Sequence, residues 1–148
     1  DVHVGAGTVK NLELAKQAVA AGAEFMLSPI MFTQGIMNEA HSAGVITVPA
    51  AFSPSEIQLM IDMGADIVKV FPASQLGPDY LRAVQSPLGT LPLMVVGGIN
   101  ITNVQDYFDK GATYAGIGSG IFDPKDIEER NSARLASSLH VLEGSVSW

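Results

Sequence analysis

Apolar positions along this chain follow two alternating rhythms. Short runs near Val2–Gly5, Phe25–Leu27, Val45–Val48, Ile67–Phe71, Leu93–Val96 and Tyr114–Ile117 are rich in β-branched, aromatic and aliphatic residues. Their length and composition predict strands buried on both faces, as a parallel sheet requires. Between them the apolar residues recur every three or four positions: Leu12, Ala15 and Val19; Ile57, Met60 and Ile61; Val104, Tyr107 and Phe108. That is the stripe of an amphipathic helix. Gly22, Gly44, Gly64 and Gly111 stand between helix stripe and strand run, where a residue in the left-handed conformation ends a helix and turns the chain into the next strand. Ser53-Pro54-Ser55-Glu56 marks a helix start, with Ser53 as N-cap, and Asn11, Asn103 and Asp123-Pro124 give similar signals. A last helix is expected over about Lys125 to Leu142.

The repeat is a βα unit of about 20 residues, and six are counted. Repeated parallel βα units either close as eight-stranded barrels or open as doubly wound sheets. Because the first strand opens at the first residue, the expectation is a single α/β domain over residues 1–148. Its architecture is that of a (β/α)8 TIM barrel whose first two βα units are absent.

Composition narrows the partners. The 148 residues are 47% hydrophobic and carry a formal net charge of −7, which suits a packed core and argues against nucleic acid or an anionic membrane, both of which need a basic surface. Cysteine is absent, so no thiolate nucleophile or thiolate metal site exists. His3, His41 and His140 share no metal-ligand spacing. No metal and no cofactor are expected. No apolar run reaches the roughly 18 to 20 residues of a membrane span. Cytoplasmic residence is the expectation.

Within the apolar run of the fourth unit sits one cation, Lys69. Strand alternation puts Ile67, Lys69 and Phe71 on one face and Val68 and Val70 on the other. Desolvation among such neighbours favours the neutral amine, which attacks carbonyl carbon to form a Schiff base; the competing reading is a lysine whose stem is buried and whose head snorkels to water. In a barrel, functional groups come from the loops after each strand. The last two such loops, Gly97-Gly98-Ile99-Asn100 and Gly118-Ser119-Gly120, are glycine turns that present backbone N–H groups to an anion. Thr8, in Gly5-Ala6-Gly7-Thr8, offers a hydroxyl at the same mouth. Glu13, Glu24, Glu39 and Glu56 fall on helices or in αβ turns, where a solvated face or a cap is expected.

Taken together, Val4-Gly5-Ala6-Gly7-Thr8-Val9, Ser28-Pro29, Val68-Lys69-Val70-Phe71-Pro72-Ala73, Val96-Gly97-Gly98-Ile99 and Gly116-Ile117-Gly118-Ser119 resemble the class I 2-keto-3-deoxy-6-phosphogluconate and 2-keto-3-deoxy-6-phosphogalactonate aldolases. The resemblance runs over the whole chain. It implies a homotrimeric barrel lyase, without metal or cofactor, that reversibly cleaves a phosphorylated 2-keto-3-deoxy sugar acid to pyruvate and glyceraldehyde 3-phosphate. By the same resemblance Lys69 is the Schiff-base lysine, Pro29 and Phe71 wall the pocket, Thr8 contacts substrate, and Gly97, Gly98, Gly118 and Ser119 hold phosphate. Val96 stands where the gluconate-type enzymes carry threonine, which points to the galactonate branch. The family's acid/base glutamate and carboxylate-binding arginine match no residue here and are expected upstream of Asp1. A phosphate-binding barrel enzyme without a covalent lysine, or a non-catalytic phosphoester-binding barrel, are the alternatives.

Overall fold

A computed structural model describes residues 2–118 and 120–147. The chain divides into two compact units, Asp1–Phe71 with Pro92–Met94, and Pro72–Leu91 with Val95–Trp148.

In the first unit, helices α1 (Leu12–Ala20), α2 (Gln34–Ser42) and α3 (Pro54–Asp62) alternate with strands β1 (Phe25–Leu27), β2 (Ile46–Val48), β3 (Ala50–Ala51) and β4 (Val68–Val70). Strands β1 and β2 pair in parallel with Met26 opposite Thr47, and β3 pairs in parallel with β4, Ala50 opposite Lys69. Ala50 and Ala51, beyond the end of the strand run expected at Val45–Val48, are therefore strand. Proline 49 interrupts the assignment because it has no N–H to give, yet its carbonyl still accepts from Lys69. The ladder Ile67 N–H to Thr47 O, Lys69 N–H to Pro49 O and Phe71 N–H to Ala51 O runs unbroken. Buried Met26, Ile36, Met37, Ile57, Met60, Val68 and Val70 form the core.

The strand expected at Val2–Gly5 reduces to one bridge, Ala6 to Met26. Hydrogen bonds join Val4 O to Glu24 N–H, and Ala6 to Phe25 O and Leu27 N–H, too few for a regular strand; Val2 and Val4 remain exposed. Gly5 packs flat on the Phe25 ring, where a Cβ would overlap the ring carbons.

The second unit holds α4 (Asp79–Leu88), α5 (Val104–Asp109), α6 (Pro124–Glu128) and α7 (Ser132–Gly144), with β6 (Tyr114–Gly116). Strand β5 (Leu93–Val96) is shared: Leu93 and Met94 count with the first unit, Val95 and Val96 with the second. Leu81, Val84, Val95, Val104 and Tyr107 are buried. The expected last helix is two helices. Arg130 adopts φ 51°, Asn131 N–H returns to Asp126 O, and the Asn131 side chain starts α7 by accepting from Arg134 N–H. A left-handed arginine leaves no compositional mark of a helix end, since glycine normally occupies that place.

The four helix-ending glycines behave as expected. Gly22, Gly44, Gly64 and Gly111 have φ between 70° and 101°. In each case the next residue's N–H reaches back five residues, as from Ala23 to Ala18 O and from Ala65 to Met60 O, the Schellman closure.

Candidate active site

Lys69 lies in the middle of β4 and is 7% exposed, between Val68 and Val70 that are fully covered. Its N–H donates to Pro49 O at 2.8 Å, so the backbone is locked into the ladder and the side chain leaves from a rigid platform. The ammonium nitrogen lies 4.5 Å from the centroid of the Phe71 ring. Among the described residues no carboxylate forms an ion pair with it. Burial therefore pushes the amine below the ordinary lysine range, because desolvation penalises the charged form and no anion restores it. Of the two readings open at the sequence level, the buried one describes this side chain better than the snorkelling one.

Phe71, whose ring neighbours the Lys69 amine, also lines an open cleft of about 210 Å³ together with Pro29, Ile30, Met31, Ala50, Ala51, Phe52 and Glu56. Pro29 and Phe71 thus wall one space. Pro29 is positioned by Ser28, which is fully buried and accepts from Ile30 N–H through its hydroxyl at 3.2 Å while donating its own N–H to Val48 O. Thr8 sits in the chain that brackets β1: Leu27 donates to Ala6 O and Val9 donates to Leu27 O. It is exposed and held at φ 60°, a conformation that costs a β-branched residue on the order of 1 kcal/mol or more.

Glu56 has two roles. Its carboxylate accepts from Phe52 N–H and Ser53 N–H, both at 2.8 Å, and Ser53 Oγ accepts in return from Glu56 N–H, a complete capping box. These backbone donors hold the carboxyl below its usual range. The cap is as the sequence predicts; that Glu56 also lines the cleft beside Phe71 is not. Fixed and ionised near neutrality, it supplies negative potential there and is poorly suited to carrying a proton.

The second unit contains the glycine turn that follows β5. Gly97 and Gly98 have φ 93° and 79°, conformations that only glycine adopts without strain. Gly97 O accepts from Ser74 N–H at 3.0 Å. A Cβ on Gly98 would lie 2.5 Å from the Ser74 Cβ, so the absent side chain makes room for a neighbour as well as for the turn. Gly118 follows β6 and is exposed; Ser119 lies outside the described residues.

A family model described as "Aldolase: KDPG and KHG aldolase" matches residues 1–138. The chain belongs to the KDPG and KHG aldolase family. Among relatives, a probable 2-dehydro-3-deoxy-6-phosphogalactonate aldolase of Rhizobium meliloti is 33% identical over 90% of this chain, which spans 65% of the relative. A 2-dehydro-3-deoxy-phosphogluconate aldolase of Treponema pallidum is 37% identical over 72% of this chain and 51% of its own length. Among solved structures, the KDPG aldolase of Legionella pneumophila, with pyruvate captured as a covalent carbinolamine, superposes with a TM-score of 0.83 at 28% identity, covering 99% of this chain and 70% of that one. This chain therefore spans about half to two thirds of the curated relatives' length.

Elsewhere in this member of the KDPG and KHG aldolase family, each of the three histidines pairs with a carboxylate. His3 pairs with Glu24 at 2.6 Å, His41 with Asp66 at 3.5 Å and His140 with Glu143 at 3.1 Å. Among the described residues no cluster of three or more His, Asp or Glu is placed to hold a metal. No helix among them is long and apolar enough to cross a membrane.

Proposed function

We propose that this chain carries the Schiff-base and phosphate-binding parts of an aldolase that reversibly cleaves a phosphorylated 2-keto-3-deoxy sugar acid to pyruvate and glyceraldehyde 3-phosphate. The observation that carries the reading is Lys69: a buried amine with no ion-pair partner among the described residues, packed against the ring of Phe71, which lines an adjoining cleft. The neutral amine adds to the C2 carbonyl, and loss of water leaves an iminium. Loss of the C4 hydroxyl proton then breaks the C3–C4 bond, whose electron pair flows toward the iminium nitrogen, releasing glyceraldehyde 3-phosphate and leaving an enamine. Protonation of that enamine and addition of water release pyruvate and restore the amine. Thr8 and Pro29 position the keto-acid end. The turns at Gly97, Gly98, Gly118 and Ser119 take the phosphate, holding the substrate far from the reacting bond so that binding energy orients it.

The architecture we assign is a (β/α)8 barrel, a single catalytic domain to which this chain contributes six βα units. The assembly is a homotrimer in the cytoplasm. Val96, in place of the hydroxyl-bearing residue of the gluconate-type enzymes, weakens discrimination at one sugar carbon.

Borohydride reduction in the presence of pyruvate tests the covalent step. A permanent mass adduct on Lys69, absent in Lys69→Arg, is the expected result. Adducts on surface lysines alone would mean that Lys69 forms no imine and that the turnover proposed here does not occur.

A further inference from the structure

Asn103 heads helix α5, where its residue type predicts an N-cap, yet its side chain makes no capping hydrogen bond. It reaches back to the glycine turn instead. Asn103 Nδ2 donates to Gly98 O at 2.9 Å, and Asn103 Oδ1 accepts from Asn100 N–H at 2.9 Å. Only one orientation of the carboxamide satisfies both, since the nitrogen only donates and the oxygen only accepts. Lys or Asp at this position lacks one of the two functions.

The peptide geometry gives this clip a consequence. In a trans peptide unit the C=O and the following N–H point in opposite directions. Gly97 O is held by Ser74 N–H, which turns Gly98 N–H away from Ser74. Gly98 O is held by Asn103, which turns Ile99 N–H away from Asn103. Among the described residues neither Gly98 N–H nor Ile99 N–H has an acceptor. Two successive donors are thus held outward by pinned carbonyls, and neither peptide can flip without breaking a hydrogen bond. Successive outward N–H groups in left-handed backbone form an anion-binding concavity.

We infer that Asn103 is a positioning residue for phosphate, acting by pinning the Gly98 carbonyl so that the Gly98 and Ile99 N–H groups stay aimed at the anion. The inference rests on the phosphate role proposed above for Gly97 and Gly98. Asn103 itself touches no phosphate in this arrangement.

The test titrates inorganic phosphate into ¹⁵N-labelled protein and follows the Gly98 and Ile99 amide signals, with borohydride trapping of pyruvate on Lys69 measured in parallel. Wild type is expected to shift both amides. Asn103→Ala is expected to weaken phosphate binding about five- to tenfold, the worth of one lost hydrogen bond, and to leave pyruvate trapping unchanged. Asn103→Asp keeps the acceptor for Asn100 and loses the donor for Gly98, and is expected to weaken phosphate at least as much, which controls for misfolding of the alanine variant. Phosphate binding equal to wild type in both variants overturns the role of Asn103 while leaving the phosphate site standing. Failure of wild type to shift Gly98 and Ile99 overturns the phosphate assignment and the inference with it.

Discussion

Lys69 shows how a single residue sets the chemistry against the stability of the chain. Its pKa is held below the ordinary lysine value of 10.5 by burial. Between the folded and the unfolded value the unfolded chain binds more protons, so stability rises with pH through that window; below it the folded chain carries the full cost of a buried charge. Lys69→Met, similar in volume and uncharged, should raise stability at neutral pH by about 1 kcal/mol, flatten the alkaline rise, and abolish the pyruvate adduct. Urea unfolding at pH 7 and pH 9.5 measures the first two. Loss of stability at pH 7 in Lys69→Met would show that the Phe71 contact outweighs desolvation. A cation inside an apolar run is visible in the sequence, which is why Lys69 was legible there. The place of Glu56 in the cleft lining was not: the capping box consumes its whole sequence signal, and only the placement of Phe71 and Pro29 around it reveals the second role. Asn103 is the same kind of case, an expected cap whose side chain the folded turn uses instead.

Among the elements, β2 and β4 are stapled at their starts by Asp66. Its carboxylate accepts from Thr47 N–H at 2.8 Å and Thr47 Oγ1 at 2.7 Å, and Thr47 Oγ1 accepts from Asp66 N–H at 3.1 Å. Burial alone raises the Asp66 pKa, but the two Thr47 donors and His41 outweigh it and hold the carboxyl below 3.8. A depressed carboxylate contributes stability that is present above the unfolded pKa and lost as pH falls toward the folded one. Asp66→Ala should therefore cost about 2 kcal/mol at pH 7, with the gap to wild type narrowing at pH 3. An unchanged gap in urea midpoints between the two pH values would rule out this titration. Element type and order were readable from periodicity and from the glycine stops, because strand and helix impose different spacings on the same apolar residues. Boundaries set by tertiary pairing were less so. Ala50 and Ala51 became strand through their partners Lys69 and Val70, and the break at Arg130 rests on a backbone conformation that no residue type there announces.

At the scale of the whole molecule, Ile30, Met31, Phe52 and Leu59 expose between 38% and 50% of their surface in the first unit, apolar area of the kind that association covers. Sedimentation equilibrium should give a mass near three times the 15.5 kDa of the chain; a mass that stays at one chain across the micromolar range would remove the trimer from the proposal. What the sequence determined by itself is the alternation of βα units, the helix ends and the one cation among apolar neighbours, because each depends on residues close together in the chain. Tertiary structure alone decided which of those residues meet. Glu56 on the wall of the cleft and Asn103 fastening the glycine turn each depend on where the backbone places a side chain, and spacing along the chain does not encode that.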